Sequence, residues 1–303
     1  MCTSPRDASF NSDGSICFSK KHFNRELVPF QLPCGKCVEC LLERARDWSV
    51  RCTHEAYMHR QNSFITLTYS DEHIPKDGKL NYFHFQLFMK RLRKVAGLDI
   101  GFFMCGEYGE TTGRPHYHAC VFGYDFPDKV KVRTNDNGDE IWSSESLTEI
   151  WGLGHTELGS VTRQSAGYVA RYVLKKQHPD APQGFQKMSL KYAIGKKFVE
   201  KFYKDIFVHA RGSVIMSGGV KCKVPRYYEK WFRENHFEEW LCYIGSYKAE
   251  NTKRLQQKAE REHSIFIKER DARGFDAFSY KSPLARKRDV LRAKAKQLKR
   301  SFL

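Results

Sequence analysis

No stretch of this chain approaches the roughly 18 consecutive apolar residues that a membrane-spanning helix needs. No apolar segment follows Met1 in the form of a secretory leader. The expectation is a soluble intracellular protein whose ten cysteines stay reduced, so that clustered thiols point to metal rather than to disulfides. There is no Gly-x-x-x-x-Gly-Lys-Ser/Thr loop, which excludes an NTPase site of that form. Internal repeats and low-complexity runs are missing too, which excludes a solenoid. Acidic residues are scarce, with 35 Asp+Glu against 52 Lys+Arg and a net charge of +17. An excess of that size on a soluble chain calls for an anionic polymer as partner, and nucleic acid is the usual one.

What is present suffices for a packed core. Of 303 residues, 41% are hydrophobic and 14% aromatic, so a disordered chain is excluded. Three regions are expected: a Cys-rich segment and helix over 1–60, a core unit over 61–178, and a C-terminal region with a basic helical tail over 179–303. Residues 1–33 show no sustained period and read as irregular or short extended structure. Cys34, Cys37 and Cys40 then follow at two-residue gaps and can supply three thiolates to a structural zinc, with Cys2 or Cys17 as the fourth. Cys52 is a poor fourth ligand, because twelve residues along one helix is about 18 Å. The competing reading makes these cysteines small apolar side chains at the start of a helix that runs to about Arg60.

The centre of the chain is Gly113-Arg-Pro-His-Tyr-His-Ala-Cys-Val-Phe122. On a strand, residues two apart share a face, so His116 and His118 point one way and Tyr117 the other. Glu107 precedes His116 by nine residues, and the Gly/Thr/Pro-rich segment between them reads as a hairpin loop. Closing that hairpin lays Glu107 across from the histidines. Two imidazoles and a carboxylate make a three-ligand site for a divalent metal with open positions. Around it, 62–69 is expected as a strand, 82–95 as a helix, 100–107 and 116–122 as the hairpin strands, and 154–161 as a further strand. Residues 125–141 read as a polar segment with a turn at 136–139.

A helix is expected over 164–176. At about 100° per residue, Tyr168, Tyr172 and Lys175 fall on one polar row, with Ala166, Val169, Ala170 and Val173 roughly opposite. The tyrosines therefore do not share the apolar stripe. Beyond Pro179 and Pro182 the pattern gives a helix over 196–206, a hairpin over 207–223 turning at 217–219, a helix from Pro225, and a charged helical remainder. From Lys281 to Arg300 there are nine Lys/Arg against one acid. That tail is either a phosphate-contacting arm, through residues such as Arg286, Lys287 and Arg288, or a solvated helix.

The strand Phe64-Ile-Thr-Leu-Thr68, Glu107 with His116-Tyr-His118, and Tyr168-x-x-x-Tyr172-x-x-Lys175 occur in that order. This resembles the HUH endonuclease superfamily of rolling-circle replication initiators. More closely it is similar to the initiators of small single-stranded DNA phages of the microvirus group, gokushovirus branch. Cys34-Gly-Lys-Cys37-x-x-Cys40 and Pro225-Arg-Tyr-Tyr228 are similar to that branch as well. The bulky Tyr117 inside the histidine triplet is a mild departure. The resemblance implies an α+β fold in which helices pack on a central antiparallel sheet of RRM-like kind, followed by a mostly helical C-terminal region. It implies Mg²⁺ or Mn²⁺ on His116, His118 and Glu107, Tyr172 and Tyr168 as nucleophiles with Lys175 beside them, and Arg171 and Lys176 on the DNA backbone. Single-stranded or extruded origin DNA would be the substrate, and the host replication machinery, helicase included, the partner, in a bacterial cytoplasm. A non-catalytic, basic nucleic-acid-binding protein with a structural zinc is the competing reading.

Overall fold

The computed structural model describes residues 2–13, 15–23, 29–97, 99–109, 112–135, 137–175, 183–191, 193–274 and 280–297, without the side chains of 172–175, 217 and 296. The chain divides into two compact units, one formed by 1–44 with 254–298 and the other by 45–253.

In the first unit, β1 (Arg6–Phe10), β2 (Ile16–Cys17) and β3 (Phe30–Leu32) form a small antiparallel sheet in the order β2-β1-β3. The N-terminal stretch, expected as irregular or short extended structure, carries three short strands. Helix α1 (Val38–Tyr57) begins in this unit and continues into the second.

The second unit is built on one sheet. Its chain order is β4 (Asn62–Tyr69), α2 (Tyr82–Ala96), β5 (Gly101–Tyr108), β6 (Pro115–Phe122), β7 (Val130–Thr134), β8 (Glu140–Ser143), α3 (Glu145–Trp151), β9 (Gly154–Gly159), α4 (Arg163–Lys175) and β10 (Phe185–Met188). The spatial order is β10-β5-β6-β4-β9-β8-β7, antiparallel throughout. The α+β fold with a central antiparallel sheet is the one expected from the sequence. Two additions were not legible there. The polar stretch over 125–141 holds β7 and the start of β8, and the sheet continues past Pro182 with β10. β7 is exposed on every residue, so no apolar alternation marks it.

Strand alternation divides the sheet into two unlike faces. Ile65, Leu67 and Tyr69 of β4 and Tyr117, Ala119 and Val121 of β6 pack against Phe85, Phe88 and Leu92 of α2 and Leu147 and Trp151 of α3. Each fully buried Ile, Leu, Val or Phe among them contributes about 1.5–3 kcal/mol relative to exposure. Phe64, Phe103, Cys105 and Cys120 point the other way, toward Ala45 and Cys52 of α1 and Ala166, Val169 and Ala170 of α4. Tyr117 fits its face because Gly106 lies opposite it; a Cβ there would meet Tyr117 Cδ1 at 3.2 Å. Gly154 is equally constrained. Its φ is 144°, and a Cβ would lie 2.2 Å from the Ser70 nitrogen.

After β10 come α5 (Lys196–Lys204), the hairpin β11 (Ser213–Met216) and β12 (Val220–Lys223), α6 (Arg226–Asn235), α7 (Phe237–Tyr243), α8 (Ala249–Ala272) and α9 (Pro283–Gln297). The hairpin expected over 207–223 is shorter, because Asp205–His209 is a helical turn that buries Ile206 and Phe207. Those two join Val50 of α1 and Tyr228 and Phe232 of α6 in a third apolar cluster. Within it His54 meets the Tyr228 hydroxyl at 3.0 Å, and burial holds its imidazole down to about 4. No helix among the described residues is long and apolar enough to cross a membrane.

Candidate active site

The hairpin sets the register that builds the site. Gly109 N–H donates to the Arg114 carbonyl at 2.9 Å and Gly113 N–H to the Gly109 carbonyl at 2.9 Å, with Gly113 at φ 64°. This closure pairs Glu107 with His116 and Cys105 with His118. On the other side β4 pairs Thr68 with His116 and Thr66 with His118. Glu107, His116, His118, Thr66 and Thr68 therefore share one face by alternation alone.

On that face the three expected metal ligands converge. Glu107 Oε1 lies 3.2 Å from His116 Nε2 and 3.1 Å from His118 Nε2, and the ligand atoms are all within 4.8 Å of one another. Glu107 is 2% exposed and His118 5%, so the carboxylate is removed from water and depends on these neighbours. The opposite edge of each imidazole is also held. His116 Nδ1 is 3.0 Å from the Arg114 carbonyl, which can only accept, so Nδ1 donates there while Nε2 faces Glu107. His118 Nδ1 contacts Thr66 Oγ1 at 2.8 Å, and the Phe64 ring stacks on it at 2° between planes. Imidazoles oriented from behind, with Nε2 atoms aimed at one carboxylate, suit a divalent cation. The donor set of two nitrogens and a carboxylate oxygen accommodates Mg²⁺ or Mn²⁺.

Helix α4 covers this face. Its start is a reciprocal cap: Ser165 N–H donates to Thr162 Oγ1 at 3.1 Å, and Thr162 N–H donates to Ser165 Oγ at 2.8 Å. Tyr168 then reaches the site, its hydroxyl donating to Glu107 Oε1 and its ring standing edge-on to His118 at 5.0 Å. One expectation needs correction here. Tyr168 is not apart from the apolar packing but buried within it at 7% exposure, and residues 165–170 are all buried. The helix is covered on more than one side, since Ser49 of α1 donates to the Arg163 carbonyl at 3.0 Å while Tyr168 faces the sheet. A helical wheel assumes one buried stripe and so separates rows that two neighbours cover together. By helix geometry Tyr172 lies one turn on, about 6 Å from Tyr168. The side chains of Tyr172 and Lys175, and the whole of Lys176, lie outside the described residues.

Thr66, Phe64 and Gln186 were not singled out from the sequence. Alternation along 64–68 carried the signal for the first two. Gln186 had none: it sits on β10, where its amide donates to the Val169 and Ala170 carbonyls at 2.5 and 3.1 Å and ties α4 to the sheet. Arg171 is half-buried and loses some of its basicity to that burial, so it belongs to the packing of α4 as much as to its surface. In the tail, Arg286 lies over the Tyr280 ring and Lys287 pairs with Glu262. Arg288 is partly buried, and its Nε has no hydrogen-bond partner among the described residues.

A second group lies in the first unit. Cys2, Cys34, Cys37 and Cys40 place their sulfurs within 4.8 Å of one another. Cys17, the other candidate for the fourth position, donates instead to the Ser19 carbonyl. The backbone N–H groups of Lys36 and Cys37 hold the Cys34 thiol down to about 6, whereas burial pushes the Cys40 thiol up to about 12.

The family model for replication-associated protein ORF2 matches residues 62–177, from the first residue of β4 to just past α4. The replication-associated protein VP4 of Bdellovibrio phage phiMH2K is 35% identical over 316 residues, covering 98% of each chain. The replication-associated protein ORF2 of Spiroplasma virus 4 is 33% identical over 249 residues, 75% of this chain and 76% of that one. Replication-associated protein ORF4 of Chlamydia phage 1 is 33% identical over 217 residues, 68% of this chain and 54% of that one. No solved structure matches. The resemblance to phage replication initiators drawn from the motifs therefore holds along nearly the whole chain, and the protein belongs to the family of phage replication-associated proteins.

Proposed function

We propose that this protein starts rolling-circle replication by cutting one DNA strand at the viral origin with a tyrosine and later rejoining it. The observation that carries this reading is the convergence of His116, His118 and the Tyr168 hydroxyl on one buried carboxylate oxygen, Glu107 Oε1. A Mg²⁺ or Mn²⁺ ion bound by these three ligands would polarise the scissile phosphate. Tyr172 attacks phosphorus; the new bond joins its oxygen to the 5′-phosphate, and the bond to the 3′-oxygen breaks. The departing 3′-hydroxyl takes up a proton and is left to prime synthesis. A tyrosine hydroxyl has an ordinary pKa near 10, so it needs a cationic neighbour to attack, and Lys175 one turn away supplies one. Because one ester replaces another, the reverse attack by a DNA 3′-hydroxyl reseals the strand. Tyr168 makes the second cut while Tyr172 remains occupied. Single-stranded or extruded origin DNA is the substrate, and the net charge of +17 favours it over neutral polymers. With no P-loop in the sequence, unwinding is left to a helicase of the bacterial host, in whose cytoplasm the reaction would run.

The test is incubation with a labelled single-stranded origin oligonucleotide and Mn²⁺, read on a denaturing gel. The expected product is a covalent protein–DNA adduct, lost on chelation, in His116→Ala, and in the double variant Tyr168→Phe/Tyr172→Phe. Cleavage without an adduct would mean metal-activated water and would sink the tyrosine mechanism. Binding without cleavage would favour a non-catalytic coating protein.

A further inference from the structure

We propose that Cys2, Cys34, Cys37 and Cys40 hold one structural zinc ion that has no part in the strand-cutting chemistry. Cys2 Sγ and Cys37 Sγ are 3.7 Å apart, and no pair among the four exceeds 4.8 Å. A disulfide would need about 2.05 Å. In a tetrahedron with Zn–S bonds of about 2.3 Å, neighbouring sulfurs lie about 3.8 Å apart; the Cys2–Cys37 pair has that spacing, and the other pairs stay close enough for one ion to draw them in. Iron–sulfur clusters spread their cysteines over several irons, whereas these four sulfurs all lie within 4.8 Å of one another.

The backbone supports the same arrangement. Gly35, at φ 75°, turns Cys34-Gly-Lys-Cys37 back on itself so that Cys37 N–H donates to Cys34 Sγ at 3.3 Å. Cys34 N–H donates to Cys2 Sγ at 3.2 Å, although the two residues are 32 apart in sequence. Amide donors aimed at sulfur orient it and favour its thiolate. Four protein ligands leave no open coordination position, which is the mark of a structural rather than a catalytic site. Thiolates also select zinc over the harder Mg²⁺ and Mn²⁺.

The small sheet of the first unit would be helped by such an ion. Its three strands are five, two and three residues long, and of these residues only Ala8 and Ser9 are buried. So small a sheet gains little from apolar burial of its own, and a bound metal is one way to hold such a segment. The ion would fasten Cys2 to the start of α1, where Thr3 Oγ1 already donates to Glu39 Oε2 at 3.2 Å.

Elemental analysis of the full chain should give about one zinc per molecule. The zinc should be retained in a His116→Ala/His118→Ala double variant and lost in Cys37→Ser. Should Cys37→Ser not fold, thiol alkylation of the wild-type chain gives an independent reading. Cys17 and Cys222 are partly exposed, as the four cysteines are, and Cys242 is exposed. These three should label at once, while Cys2, Cys34, Cys37 and Cys40 stay protected until a chelator is added. Exchange into Co²⁺ should produce the visible bands of a tetrahedral tetrathiolate. Labelling of the four at the rate of Cys17, or iron in place of zinc, would overturn the proposal. None of these readouts depends on DNA cutting, so the proposal stands or falls apart from the mechanism above.

Discussion

On β6, Tyr117 and His118 are neighbours in sequence and face opposite sides of one sheet. Tyr117 is fully buried, with the rings of Phe85, Tyr69 and Trp151 at 5.8 to 5.9 Å. Its hydroxyl donates to the Asn81 carbonyl at 2.8 Å, accepts from Asn81 N–H at 3.0 Å and lies 2.8 Å from the Tyr69 hydroxyl. His118 is nearly as buried, but it shares its surroundings with a carboxylate, a second imidazole and a threonine. Burial therefore does not distinguish a structural face from a chemical one; the kind of polar partner does. Neutral groups satisfy one another around Tyr117, while around Glu107 a buried negative charge depends on a proton or a cation.

The largest effect should come from the structural face. Tyr117→Ala is expected to cost about 3–5 kcal/mol in urea unfolding, as truncation of a buried aromatic does. Its folded fraction should still bind Mn²⁺. A loss below about 1 kcal/mol would mean that the two faces are not divided in this way.

Acid should separate fold from chemistry next. The His54 imidazole is held to about 4 by burial, below its ordinary value of 6.5. The unfolded chain takes up this proton below pH 6.5 and the folded chain does not. Stability is therefore complete above pH 6.5 and falls as pH drops toward 4, by about 3 kcal/mol. His54→Gln should remove that pH slope between 6.5 and 4 in urea midpoints. A slope left intact would assign acid sensitivity elsewhere.

On the site face, Thr66→Val keeps side-chain shape but withdraws the hydroxyl behind His118. Mn²⁺ affinity, read by titration, should weaken about 10–100-fold with little change in stability. Unchanged affinity would show that Thr66 does not orient the ligand. The smallest effect should be that of Tyr117→Phe, about 1–2 kcal/mol, from leaving the Asn81 backbone groups without their phenol partner. Adduct formation should be unaltered.

The sheet's central strands and the helices α2 and α4 were legible because local periodicity encodes them. At the start of α3 Ser144 Oγ accepts from Leu147 N–H at 3.0 Å. The β7–β8 hairpin was not legible, since β7 buries nothing and so shows no alternation. β10 was hidden because a four-residue strand is too short for a period to declare itself. For the site, the hairpin arithmetic from Glu107 to His116 was sufficient. The placement of Tyr168 was only half read, because a wheel gives angles around a helix but not which neighbours cover them.

By itself, then, the sequence determined that His116 and His118 share a face with Glu107, and that Cys34, Cys37 and Cys40 stand close together. Both follow from contacts within a dozen residues, where strand pleat and turn geometry leave little choice. Only the tertiary structure decided that Thr66 stands behind His118, that Tyr168 reaches Glu107, and that Cys2 rather than Cys17 completes the thiol group. Those pairs lie 52, 61 and 32 or more residues apart, and at such separations proximity depends on how whole elements pack, which no local pattern records.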